Sequence, residues 1–337
     1  MHWKDFDRPG GGPWRGLDVT IEPGDLPPGA PGLRVEAALG RIRIACDGQP
    51  VLWASVHRYH YGLWRLLAGR AASWGVVPPI QAADLAAVRE GPHTGPWWAA
   101  WARWLARALA ASPRTPLHPD RWAITAARAV DAPSPPVPAP PPADWTRLDR
   151  IDGIRTCLEE PALAWEGWFT SGSGALLRTR ERSPADSGRV RALRKRARDG
   201  TLPPALAQYV SGLDMFVLLD GHDRLQAALL EGAAPPLLVL WQVRAIPRES
   251  DPAQQAAVVR EVERKQRLAS TSAPRRPLSA AAENALLISA FDDRDYLFPR
   301  TRAYPLPGGA ARWTEEVAAR AGVPPDHLIF SGNPPPR

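Results

Sequence analysis

Cysteine is scarce in this chain. Cys46 and Cys157 are the only two among 337 residues, too few for a disulfide framework, so a reducing compartment is expected. Long apolar runs are absent as well. None approaches the ~20 residues that a membrane-spanning helix needs, and residues 1–12 have no apolar core of signal-peptide type. These absences point to a soluble, cytoplasmic protein with no membrane partner. No internal repeat of fixed period is present, which sets solenoid and propeller architectures aside.

What is abundant is proline, tryptophan and arginine-borne charge. There are 39 prolines, well above the average usage of about 5%, and many must lie in loops because proline lacks the backbone donor of helix and sheet interiors. The formal net charge is +7, a balance that accommodates nucleotides, nucleic acid or anionic lipid without requiring any of them. The hydrophobic share of 45% suffices for a sizeable core, and the length suggests two domains or three.

Residues 131–143 hold seven prolines in thirteen positions and are expected to form a semi-rigid polyproline spacer. That spacer divides the chain into a Trp-rich α/β region (1–130), the linker (131–143), an α/β module (144–248) and a helical extension (249–337). In the first region, residues 1–30 show no periodicity. Residues 33–45 alternate around Gly40 as in a hairpin, 51–56 suggest a strand, and 59–67 suggest a helix stopped by Gly69. Residues 97–111 place Trp97, Trp101, Trp104, Leu105 and Ala108 on one helical face, either an aromatic core or a partner-binding surface.

The module has the clearest pattern. A strand at 176–177 is followed by a helix capped by Ser187 and ended by Gly200. Strands at 205–210 and 215–219 are joined through Ser211–Gly212. A helix from Arg224 is stopped by Gly232, and a buried strand spans 237–243. Between the 215–219 strand and the helix after it lies Asp220-Gly221-His222-Asp223-Arg224. A helix start presents several backbone N–H groups without internal partners, at the positive end of the helix dipole, where an anion is stabilised. Gly221 permits close backbone approach, and Arg224 offers a fork suited to phosphate. His222 can donate a hydrogen bond or move a proton, and Asp220 and Asp223 can cap the helix, hold a metal or act as bases. The same residues also suit a plain capped turn in which Arg224 pairs with a carboxylate.

The turn resembles the Asp-Gly-His-His-Arg-Leu turn of ParB-like nucleotide-binding and nuclease domains, and the flanking order of strands and helices over 176–243 resembles theirs too. The resemblance implies an α+β, ParB/sulfiredoxin-like mixed sheet with helices, in which Gly221, His222, Asp223 and Arg224 hold a nucleoside triphosphate, with Mg2+ bridging its phosphates. Asp223 departs from the family's second histidine. Sulfiredoxins carry a catalytic cysteine where this chain has His222, which excludes sulfinic-acid reduction here. Some kinases of this fold use an acidic residue near the position of Glu181. The implied catalytic set is therefore Glu181, Asp220 and His222, for NTPase, nuclease or kinase chemistry.

The alternative is a non-enzymatic DNA-associated or regulatory protein. Its carrier would be the helix at 187–199, where residues 182–200 hold seven Arg or Lys against two Asp and Arg191, Arg194, Lys195 and Arg198 share one face. His57 and His60 stand three apart with no acidic or cysteine companion, so no protein metal site is assigned. Residues 314–331 have the spacing of a helix-turn-helix, but their second half lacks Arg and Lys for base contacts, and a plain helical hairpin is expected. Ser171-Gly172-Ser173-Gly174 lacks the Gly-Lys-Ser/Thr of a phosphate loop.

Overall fold

A computed structural model of the chain describes residues 1–6, 14–57, 62–69, 75–88, 91–130, 148–167, 174–247, 249, 251–271, 295–322 and 324, with five isolated positions between 283 and 291. The first half contains strands β1 (His2–Asp5), β2 (Leu17–Ile21), β3 (Leu33–Ala38), β4 (Arg41–Cys46), β5 (Gln49–His57) and β6 (Gly62–Leu67). Helices α1 (Ala82–Ala87) and α2 (Gly95–Ala111) follow, then β7 (Asp120–Val130). The second half begins with β8 (Arg150–Asp152), α3 (Ile154–Glu159), β9 (Leu163–Gly167) and β10 (Leu176–Leu177). It continues with α4 (Gly188–Arg198), β11 (Ala205–Val210), β12 (Met215–Asp220), α5 (His222–Leu230) and β13 (Leu237–Ile246). The last elements are α6 (Pro252–Thr271), β14 (Tyr296–Arg300), β15 (Ala303–Pro305) and α7 (Gly309–Ala321).

The protein is mixed α+β, built on two mixed sheets. One runs β1-β2-β7-β13-β11-β12-β10, with β8 beside β7, and the other runs β15-β3-β4-β5-β6-β9. Alternation along the strands fixes which side each residue serves. In β5, Leu52 and Ala54 join the main core, whereas Trp53 points to a second cluster on the other face. Leu63 and Leu67 of β6 likewise enter the main core, and Trp64 and Leu66 the second. That second cluster is closed by Trp313 and Val317 of α7. Trp313 donates its indole N–H to the Ile42 carbonyl at 2.9 Å, and Glu316 accepts from Arg43 and Trp53.

Helix α2 is capped by Thr94, whose hydroxyl accepts from the Trp97 amide, and it has a proline in its first turn. Trp97, Trp101, Leu105 and Leu109 are buried, so the tryptophan face is core rather than a free surface. Trp104, half-buried, donates to Asp84 at 2.9 Å.

The expected partition at 131–143 does not separate two sheets. Strand β7, which precedes those prolines, is antiparallel to both β2 and β13 and so ties the segment 1–130 into the sheet of the module. The C-terminal segment carries strands as well as helices, and its β15 pairs with β3. The chain instead divides into residues 1–243 with 299–337, and a smaller unit of residues 244–298. The smaller unit carries α6, with surface ion pairs of Glu261 to Arg264 and Lys265. The proline-rich segment itself lies outside the described residues. Two local expectations also change. Residues 62–67 are a strand, not a helix, because β5 supplies an antiparallel partner, and strands β1 and β2 arise within the segment expected to be loop. No described helix is long and apolar enough to cross a membrane.

Candidate functional site

Strand β12 is buried along Met215–Leu219, with Met215, Val217 and Leu219 in the main core and Phe216 and Leu218 covered on the opposite face. The strand ends at Asp220, and a single residue, Gly221, turns the chain into α5. Its φ of +92° is left-handed, and a Cβ there would stand 2.7 Å from the Ala205 Cβ and 2.8 Å from its Cα. Glycine is therefore required by the neighbouring strand β11 as well as by the turn. No side chain caps α5, which leaves the amides of its first turn without a capping acceptor, at the positive end of the dipole.

The three residues after the glycine are buried yet charged or polar. The Asp223 carboxylate accepts from the Ser183 hydroxyl and Arg180, both at 2.7 Å, and lies 3.0 Å from Arg189. Burial pushes its pKa up, but the Ser183 hydrogen bond and the two guanidinium groups outweigh it and hold the carboxyl below its ordinary range. Arg224 forms an ion pair with Asp220 at 2.5 Å, and its buried Nε has no hydrogen-bond partner among the described residues. His222 is buried, and Nε2 lies 3.0 Å from the Thr179 hydroxyl and 3.3 Å from the Thr179 amide. The same hydroxyl donates to the Leu218 carbonyl at 2.7 Å. Burial, reinforced by the charge of Arg180, lowers the His222 pKa to about 3. The imidazole is therefore neutral near pH 7 and clamps the end of β12 to residue 179.

These residues open onto a cleft of about 810 Å³. Its lining comes from residues 219–224 with Arg180 and Arg189, and from residues 75, 77–79, Ala108, Ala111, Ser112 and Arg114. Its charged lining residues are four arginines and two aspartates. Of Arg180, Arg189 and Arg224, Arg189 is the most accessible, with its side chain 65% exposed, and its ion pair to Asp223 uses Nε.

Of the residues singled out in the sequence, Asp220, Gly221, His222, Asp223 and Arg224 all line the cleft, whereas Glu181 is exposed and does not. Sequence pattern does not single out Arg180, Arg189, Thr179 or Ser183. Arg180 and Ser183 lie in an irregular stretch, and only the packing of that stretch on α5 joins them to Asp223. Magnesium held by protein groups does not fit. Among the described residues no three His, Cys, Asp or Glu gather, and both carboxylates of the turn are committed to arginines. Magnesium would enter such a cleft as part of a nucleotide chelate.

The other constellations are weaker in three dimensions. On the basic helix α4, Arg194 and Arg198 pair with Glu231 and Arg189 with Asp223, leaving Arg191 and Lys195 as exposed cations of the face. His60, the second half of the 314–331 pattern and residues 171–173 lie outside the described residues. A separate buried network joins Arg65 to Glu166 at 2.7 Å and to Glu160 at 2.5 Å. Burial and a hydrogen bond to Glu160 raise the Glu166 pKa to about 8. Comparison of the chain with protein-family models, with curated proteins and with solved structures gives no match.

Proposed function

We propose that the cleft beside residues 220–224 binds a nucleotide or phosphate group, in a module of ParB/sulfiredoxin-like type. The element order β10-α4-β11-β12-α5-β13 supports the assignment of the module. The observation that carries the binding is the gathering of Arg180, Arg189 and Arg224 on the lining of one cleft, beside the start of α5, which has no side-chain cap. Arg224 stands in the first turn of that helix. An anion at this helix start gains the exposed guanidinium of Arg189 and a favourable dipole. The Arg224–Asp220 ion pair does not close the site, because the cleft in front of it is open.

The catalytic roles narrow. A neutral His222 engaged by Thr179 holds the turn rather than carrying a proton, and Glu181 is off the wall. If NTPase, nuclease or kinase chemistry follows binding, Asp220 is the carboxylate at hand. Its side chain is 26% exposed and holds Arg224. DNA association through α4 has less support, since three of its arginines are already paired with carboxylates.

Calorimetric titration of the full chain with nucleoside triphosphates and with inorganic triphosphate, each with and without Mg2+, tests the proposal. Binding is expected, with saturation at 100 times Kd adding about 2.7 kcal/mol of stability. Arg189→Ala is expected to weaken it at least tenfold without unfolding the chain, because Arg180 and Ser183 remain on Asp223. Failure of every polyphosphate to bind, or unchanged affinity in the variant, overturns the proposal.

A further inference from the structure

Two buried arginines, Arg65 in β6 and Arg178 just after β10, donate to one connection, the stretch between α3 and β9. Arg178 reaches the Leu158 carbonyl at 2.7 Å and the Glu160 carbonyl, and Arg65 reaches the Pro161 carbonyl at 3.0 Å. The same Arg65 guanidinium holds both carboxyl groups of the network, Glu160 through Nη2 and Glu166 through Nε, and Glu166 hydrogen-bonds Glu160. Two carboxyl groups this close in a buried place resist ionising together. Glu166 is buried, whereas the Glu160 side chain is 20% exposed, which gives a proton leaving the pair a route to water. Cys157 lies near Glu166 but stays neutral, since burial pushes its thiol up to about 12. Arg178 lies near Arg65 and Cys157, and also near Glu181 and Arg182. The two residues that follow Arg178 belong to the cleft's support: Thr179 engages His222, and Arg180 pairs with Asp223.

We propose that the Glu160–Glu166 pair is a proton-operated latch on residues 178–180. With a proton on the pair, the 158–162 connection stays docked on both arginines. When the proton leaves to water, the two carboxylates repel across Arg65 and Glu160 turns to solvent. Its carbonyl then leaves Arg178, and residues 178–180 loosen their hold on the start of α5. The charge change is local and the docked connection is the element it biases. The latch stands whatever the cleft binds.

The direction with pH follows from Glu166, whose pKa is about 8 when docked against an ordinary 4.5. The docked state is fully favoured by this group below pH 4.5 and loses about tenfold per pH unit up to 8. Hydrogen–deuterium exchange of the full chain, read by mass spectrometry and corrected for intrinsic rate, follows such local opening. Segments 154–167 and 176–183 are expected to open together, by tens of fold from pH 5 to pH 7, levelling above pH 8, while α2 stays protected. His222 titrates with the opposite sign, so the reference is Glu166→Gln, which is expected to remove the rise in both segments. Arg178→Lys is expected to separate them, with 154–167 keeping its rise and 176–183 losing it. In each variant, protection of α2 reports an intact fold. A rise unchanged in Glu166→Gln, or one shared by α2, overturns the latch. A rise confined to 154–167 in the natural protein, or one kept by both segments in Arg178→Lys, overturns its coupling to the cleft.

Discussion

Replacing His222 by glutamine removes a titrating group whose cost to the fold can be worked out. The imidazole titrates near 6.5 in an unfolded chain, but burial lowers its pKa to about 3 in the folded protein. Below pH 6.5 the unfolded chain binds a proton that the folded chain refuses. The associated stability is fully present above 6.5 and is lost as pH falls toward 3. Each pH unit below 6.5 costs about 1.4 kcal/mol, so the fall from pH 7 to pH 5 costs about 2 kcal/mol from this residue. Glutamine places an amide at about the reach of Nε2, keeping a partner for Thr179 without a titrating group. Glu166 titrates with the opposite sign over an overlapping range, so the informative quantity is the difference between the two proteins. Urea unfolding followed by tryptophan fluorescence at pH 7, 6 and 5 is expected to show the natural protein losing about 2 kcal/mol relative to His222→Gln. Parallel pH dependences would refute the buried, neutral histidine and reopen a proton-transfer role for it.

Gly221→Ala is expected to destabilise the chain by on the order of 2–4 kcal/mol, from a left-handed backbone and a Cβ forced onto Ala205; urea unfolding near the natural value would refute this. Glu166, with a folded pKa of about 8 against 4.5, contributes stability below pH 4.5 that is lost as pH rises toward 8. Glu166→Gln is expected to remove that fall in denaturation curves between pH 5 and 8, and an unchanged slope would show that Arg65 keeps the carboxylate ionised. Trp313→Ala is expected to cost about 3–5 kcal/mol, because α7 closes the second core cluster. A change below about 1 kcal/mol in urea unfolding, typical of a surface site, would mean that α7 is a dispensable appendage.

Much of the module is legible in the sequence. From Leu176 to Val243 it follows local rules: a buried apolar run bounded by Asp220 and Gly221, Ser187 as a helix cap, and Gly232 as a stop. The five residues of the turn emerge together because they are consecutive and need no tertiary partner to be neighbours. Glu181 does not reach the wall expected for it, because a strand end with no regular structure after it gives no direction to its side chain.

Local pattern by itself determined the α+β class, the element order of the module and the Asp220–Arg224 turn between β12 and α5, since hydrophobic period, capping and glycine conformations are short-range. Tertiary structure alone decided that β7 joins the segment 1–130 to the module's sheet, that α7 returns to cover Trp53 and Trp64, and that Arg180 and Arg189 converge on Asp223. It also decided that residues 77–79 and the end of α2 line the same cleft as the turn. Such pairings depend on burial and hydrogen bonding between segments far apart in the chain, which no window of neighbouring residues encodes.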